Sequence, residues 1–326
     1  MSKFLSRLRK VGIGRETSRG TGVAASYWLK KLSGNHRTVA TTVKSIESFG
    51  NIHGVGKDAY TALKHGEGSF EMELDDTMFG LLLYNLFGAL STSTDDPEAS
   101  TNTHTITVDD DSNQHPALTI HLDDPNQDKV FELGMIESAE IIIVPDDLVK
   151  INVEFKSMPG QDSVESATFL SSNKFLGRHL IFNLAATTGA LADTKIPVKE
   201  LRLRVEKNLL IDNVLGTVQP ADVLNQSMMI TGSVTLNLEN ETYKDYDLDK
   251  TQRAMRIKLK NTDVTIGTVT NPTFTIDFSR VFFESWDENL AIDEIATQTL
   301  DFTAMYDTTN SNVINSCTLI NEVTSY

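Results

Sequence analysis

Apolar and polar residues alternate along most of this chain. Residues 69–74 are the clearest case, with Phe70, Met72 and Leu74 on one side and Glu71 and Glu73 on the other, the period-two pattern of a half-buried strand. The same pattern predicts strands at 38–48, 138–144, 149–157, 200–205, 229–239, 254–259, 273–278, 281–285 and 300–305. Residues 104–108 and 117–122 read as a strand pair around a polar turn, 130–133 as a short strand, and 91–103 as a Ser/Thr/Asp/Pro loop. Two stretches break the rhythm. Residues 77–90 are almost wholly apolar and follow Asp75 and Asp76, whose acids suit a helix N-terminus. Residues 242–252 are polar and read as a short helix. The fold class is therefore mainly β, with a short helix accompanying each strand set.

The order of elements recurs. GSFEMELDD at 68–76 leads into the first helix and GSVTLNLEN at 232–240 into the second, each followed by further strands. Length alone fits one to two domains. The division read here is a basic arm at 1–27, a β unit at 28–160 and a second β-rich unit at 161–326, a duplicate of the first. Residues 50–68 carry five glycines (Gly50, Gly54, Gly56, Gly66 and Gly68) and read as a long loop or splayed hairpin.

Charge sharpens this picture. The 326 residues carry a net −16, yet residues 1–30 hold seven cations against Glu16 alone, or +6, which leaves −22 on the rest. Such an acidic body repels polyphosphate, which argues against sequence-specific DNA binding. A basic arm beside it suits contact with another copy of the chain; Arg7, Arg9, Lys10, Arg15 and Arg19 are the candidate contacts. No secretory leader pattern is present, and the longest apolar run, 78–90, falls short of the roughly 20 residues a membrane helix needs.

Catalytic chemistry is hard to find. The seven histidines lack metal-ligand spacing, though His104, His115 and His121 would meet if 104–108 paired with 117–122. The acidic run at 109–113 has Gln114 where a calcium loop needs glycine. GRETSRGT at 14–21 lacks the lysine of a phosphate loop, and Cys317 has no base beside it. The expectation is a non-enzyme without metal or cofactor.

The segment GIGRETSRGTGVAASYWLKK at 12–31 carries Gly14, Glu16, Thr17, Gly20 and Thr21 ahead of Tyr27 and Trp28. This pattern resembles the opening of major tail tube proteins of long-tailed bacteriophages. The resemblance continues through SIESFGN, the strand–helix unit at 68–90, the 105–124 stretch and FELGMIESAEIIIVPDDLVKINVEF at 131–155. It implies a β-sandwich or barrel unit that joins its neighbours in a ring-shaped barrel and stacks into a hollow tail tube. Its implied partners are other copies, tape-measure, tail tip and terminator proteins, and double-stranded viral DNA that passes without specific binding, with assembly in the host cytoplasm. Compact members have one unit of about half this length. A duplicated chain would fill a ring of six units with three copies; otherwise six copies are needed. Glu71, Glu73 and Glu140 are the candidate lumen-facing acids, and the glycine-rich 50–68 stretch the candidate stacking loop. Alternative readings are an inner-tube, terminator or neck component of a related machine, or a β-sandwich adhesion module.

Overall fold

The structure, a computed structural model, describes residues 3–46, 50, 52, 58–96, 100–293 and 295–326. Its strands are β1 (Lys10–Arg15), β2 (Tyr27–Trp28), β3 (Lys31–Lys44), β4 (Ala59–Glu73), β5 (Gly88–Asp96), β6 (Thr101–Val108), β7 (Leu118–Asp123), β8 (Lys129–Ile143), β9 (Lys150–Ser157) and β10 (Gln161–Asp162). The second half adds β11 (Leu180–Ala185), β12 (Val198–Glu206), β13 (Leu210–Asp212), β14 (Asp222–Leu224), β15 (Met229–Asn237), β16 (Arg253–Lys260), β17 (Thr273–Asn289), β18 (Thr297–Ala304) and β19 (Ile314–Asn321). Helix α1 (Phe79–Phe87) follows β4, and α2 (Thr242–Leu248) follows β15. The protein is mainly β and antiparallel throughout, as the alternation predicts.

Eight strands run side by side in the order β3-β4-β9-β8-β12-β15-β18-β17. Each directly opposed pair shares a face. On one face lie Phe70, Met72, Val153, Ile141, Leu203, Val234 and Leu300, all buried. On the other lie Glu71, Asn152, Glu140, Arg204, Thr231 and Thr303 in one cross-strand row. The apolar face packs beneath α1 and α2 and forms one core shared by both halves, with Phe79 of α1 edge-on to Phe274 of β17 at 4.8 Å.

The same order of pairings occurs twice. In the first half β3 pairs β4, β4 pairs β9 and β9 pairs β8. In the second, β12 pairs β15, β15 pairs β18 and β18 pairs β17. Both β8 and β17 are long bent strands. Each bulges at the matching place, between Ile136 and Ser138 and between Phe283 and Ser285. The N-terminal part of each continues into a second layer, β8 to β7 and β1, and β17 to β16 and β11. Bulges bend a strand and raise its local twist, which lets one strand serve two layers. That is why 130–133 with 138–144, and 273–278 with 281–285, are each one strand rather than two.

Other differences from the sequence reading have equally local causes. Residues 91–103 are largely the β5–β6 hairpin, because alternating Thr and Ser side chains tolerate an extended backbone without signalling a buried face. β6 then pairs β19 from the far C-terminus, while β7 pairs β1 and β8, so 104–108 and 117–122 do not pair. Residues 10–15 are strand β1 with Val11 and Ile13 fully buried, so only 3–9 precede the sheet. α1 begins where the Asp75 carboxylate accepts the amides of Thr77 and Met78, at 3.1 and 2.9 Å, and ends at Gly88 with φ +99°.

Candidate assembly site

An eight-strand sheet has two outer edges, and here they belong to β3 and β17. Beyond its pairing with β4, β3 has no ladder among the described residues. Among the described residues, the C-terminal part of β17, from Phe282 to Asn289, pairs only with β18, on one side. In the middle of the sheet the corresponding edges are joined. β8 pairs β12, with Glu140 opposite Arg204, Ala139 opposite Val205 and Ile141 opposite Leu203. Carrying those positions through the matching registers assigns Asp287 of β17 to the place of Glu140 and Arg37 of β3 to that of Arg204. Asp287 is exposed, and the Arg37 side chain is 70% exposed.

The candidate lumen acids share the polar face. Glu71 accepts a hydrogen bond from the Ser33 hydroxyl at 2.9 Å, and Glu73 forms an ion pair with Lys174. Glu140 lies between Asn152 and Arg204. The face is not uniformly acidic. Arg202 donates to Glu200 at 2.7 Å and Arg204 to Glu206 at 2.6 Å. The Glu200 carboxylate first, and Glu140 to a smaller extent, raise the Arg202 guanidinium.

The basic segment is mostly engaged within its own chain. Arg9 reaches Asn35 at 2.6 Å and forms an ion pair with Asp124; Lys10 meets Asp123 at 2.8 Å. Arg15 donates to the Tyr326 backbone oxygen and, at 3.0 Å, to the Tyr84 hydroxyl. Arg19 donates to the His115 carbonyl, to Asp222 at 2.6 Å and to the Val223 carbonyl at 2.7 Å. Arg7 is exposed, in a 3-10 turn over Ser6–Leu8, and has no partner among the described residues. Of the glycines, Gly66 and Gly68 lie inside β4 where neighbouring chain crowds in. A Cβ at Gly66 would fall 2.1 Å from the Ser157 hydroxyl, and one at Gly68 2.0 Å from the Asn35 carbonyl. Gly50 is exposed, and Gly54 and Gly56 lie outside the described residues.

The GRETSRGT stretch builds a buried polar knot that spacing alone did not reveal. The Glu16 carboxylate accepts the amides of Gly20 and Leu133, each at 2.7 Å, and the Thr119 hydroxyl at 3.1 Å. Burial pushes its pKa up. Beside His115, whose carbonyl Arg19 reaches, Lys207 is fully buried and donates to the Asn85 carbonyl at 2.8 Å and to His115 Nδ1 at 3.1 Å. Burial, with the nearby Arg19 charge, pulls Lys207 down to about 7. Burial and Lys207 likewise lower His115. The stretch therefore fastens the start of the chain to both halves. A lysine at 207 following the strand 198–206 was the visible signal, but nothing marked it as buried.

The histidines make separate contacts. His104 meets Thr92 and Asn321, His115 meets Lys207, and His121 meets Glu165 and the Val23 carbonyl. Among the described residues no group of three or more His, Cys, Asp or Glu side chains is arranged to hold a metal. Burial pushes the Cys317 thiol up, away from a reactive thiolate. No described helix is long and apolar enough to cross a membrane.

A comparison with curated proteins finds no match. The family of phage tail tube proteins does match, over residues 6–308, which takes in both halves and both sheet edges. With its β architecture and unpaired strand edges, this structural component of the virion tail belongs to the phage tail tube protein family.

Proposed function

We propose that the chain contains two tube units in tandem. Three copies then join edge to edge into a ring of pseudo-sixfold symmetry, and the rings stack into the hollow tube through which viral DNA leaves the particle. The observation that carries this reading is the repeated pairing order with its internal junction. β8 meets β12 inside the chain, so β17 of one copy meets β3 of the next by the same antiparallel contact. Unpaired edges invite such addition, and closure into a ring leaves none. In this register Asp287 of one copy faces Arg37 of the next, as Glu140 faces Arg204 within one chain. The polar face of the sheet, with Glu71, Glu73 and Glu140, then lines the lumen, where acids keep phosphates from adhering. The β3–β4 hairpin, whose stem from 36 to 44 is largely exposed, extends toward the adjacent ring. Assembly proceeds in the host cytoplasm with tape-measure, tail tip and terminator proteins.

Negative-stain microscopy of concentrated protein tests the reading. Hollow tubes whose end-on rings contain three chains are expected. Rings of six chains would overturn the tandem arrangement, and monomers under all conditions would overturn tube formation. Charge reversal tests the register. Arg37→Glu and Asp287→Arg should each block ring closure, and the double variant should restore it. Side chains of Glu71, Glu73 and Glu140 found at ring contacts in a map of the tube would remove them from the lumen.

A further inference from the structure

The linker between the halves repeats the start of the chain. Lys174-Phe175-Leu176-Gly177-Arg178 matches Lys3-Phe4-Leu5-Ser6-Arg7 at four of five positions. Each leads into a 3-10 turn, Gly177–His179 and Ser6–Leu8, and then into the strand that pairs with its half's second layer, β11 with β16 and β1 with β7. Yet the two copies sit in opposite surroundings.

The linker copy is docked. Phe175 is fully buried in the core. Its amide donates to the Leu74 carbonyl at 3.3 Å, and its carbonyl accepts the Val149 amide at 2.9 Å. Lys174 bridges to Asp75 and forms an ion pair with Glu73, while Leu176 bridges to Leu148. The slot thus lies where the chain leaves β4 and enters β9. The N-terminal copy touches nothing comparable: Phe4 is 52% and Leu5 72% exposed.

The second half has the same slot, where the chain leaves β15 and enters β18. The Leu238 amide donates to the Ala296 carbonyl at 2.9 Å, as the Leu74 amide does to Val149 at 2.8 Å. Leu238 takes the place of Leu74, Ala296 that of Val149, Ile295 that of Leu148 and Glu239 that of Asp75. Among the described residues no amide reaches the Leu238 carbonyl and no acceptor meets the Ala296 amide. Ile295 is 70% exposed. A docking segment thus lacks its slot, and a matching slot lacks its segment.

We propose that residues 3–8 of one copy dock into the β15–β18 slot of the preceding copy, with Phe4 seated as Phe175 is, Leu5 against Ile295 and Lys3 toward Glu239. This inference rests on the head-to-tail ring proposed above. Strand order decides the occupant. The linker starts between the second and third strands of the sheet and feeds the half that begins at the fifth. A segment starting between the sixth and seventh therefore feeds the ninth, the first strand of the next copy. The slot is a latch that adds a buried aromatic to each edge contact.

Cysteine cross-linking in assembled tubes tests it. Leu5→Cys with Ile295→Cys copies the Leu176–Leu148 bridge, whose spacing suits a disulfide; the lone native Cys317 is buried and silent. Oxidation should link chain to chain and end at a closed ring of linked chains, while Leu148→Cys with Leu176→Cys should close within one chain. Phe4→Ser should leave monomer melting unchanged and raise the concentration needed for tube growth by about tenfold or more. Tubes that form normally with Phe4→Ser, or in which the 5–295 pair stays within single chains, would overturn the latch alone. Wild-type protein that never forms rings would overturn the ring proposal and the latch with it.

Discussion

The two halves of the chain share a pairing order but bury their helices differently. α1 is buried at eight of its nine residues, and α2 has no buried residue. α1 lies between the main sheet and the β5–β6 hairpin, an element for which the second half has no counterpart at that point in its order. β19 supplies the outer strand against which that hairpin pairs. The hairpin and α1 of the first half are therefore covered by sequence from the second, whereas the second keeps a half-exposed helix, an open edge on β17 and an unfilled slot; the other open edge is β3. In the ring proposed above, the end of this pairing order that is completed within the chain is core, and the open end meets another copy.

The sharpest way to break this contrast is to remove the same aromatic from each copy of the docking segment. Phe175→Ala leaves a cavity in the shared core and should lower stability by about 3–5 kcal/mol in urea unfolding of the monomer. Phe4→Ala removes a half-exposed ring and should change monomer stability by no more than about 0.5 kcal/mol. Equal effects would mean that the N-terminal segment is already docked within its own chain.

The helices give the next comparison. Leu86→Ala in α1 should cost about 2–5 kcal/mol, since Leu86 is 4% exposed in the core. Leu248→Ala in α2, at a site 65% exposed, should fall within about 0.5 kcal/mol. Because Phe79 of α1 packs on Phe274 of the second half, the Leu86 variant should still unfold in a single calorimetric transition. Two separated transitions would show that the halves fold as independent units.

A third difference depends on pH. His36 in β3 occupies the position that Leu203 holds in β12, facing the core. Burial pulls His36 down to about 3, and its Nε2 shares a hydrogen bond of 2.8 Å with the Ser157 hydroxyl. The unfolded chain takes up this proton near pH 6.5, and the folded chain only near 3. The unfolded state therefore binds more protons between those values. Stability contributed by neutral His36 is complete above about pH 6.5 and declines as pH falls toward 3, by a few kcal/mol in all. His36→Leu, which copies the second half, should flatten that part of the monomer's stability–pH curve. An unchanged slope would assign the acid sensitivity to other groups.

Strand alternation made much of the β architecture legible, because a sheet with one apolar face writes its register into the sequence. Residues 69–73, 150–157, 200–205 and 254–259 lie in strands where the pattern predicted them, and the helix at 242–248 lies within the predicted 242–252. Polar strands were less legible: only the 38–44 part of β3 fell within the predicted 38–48, and residues 91–94 of β5 are exposed on both faces, so no apolar face marks them. Nor was pairing between distant segments, such as β6 with β19, since partners 200 or so residues apart leave no local mark. The candidate assembly residues were legible as types but not as contacts. The cations of 9–19 stood out as a basic arm, yet Arg19 and Arg15 are held by Asp222 and Tyr326, far away in sequence. Phe4 and Leu5 carried no signal until the docked copy at 175–176 gave them a counterpart.

The smallest effect concerns the cross-strand charges, and it probes the comparison at its centre. Glu140 faces Arg204 at the junction inside the chain, where the Arg204 side chain is 41% exposed and already donates to Glu206. An exposed pair of this kind contributes at most about 1 kcal/mol, less in salt. Glu140→Gln should therefore lower the monomer's stability by less than about 1 kcal/mol, and 0.5 M salt should erase the difference. Asp287→Asn removes the corresponding charge from an edge with no partner, so it should leave the monomer unchanged at any salt concentration. If the two edges are equivalent, the Asp287 variant acquires the salt-dependent deficit only after assembly. Melting of tubes and of monomers, each at low and high salt, would detect it. A deficit in the free monomer would mean that Asp287 is already paired within its own chain and is not waiting for Arg37 of another.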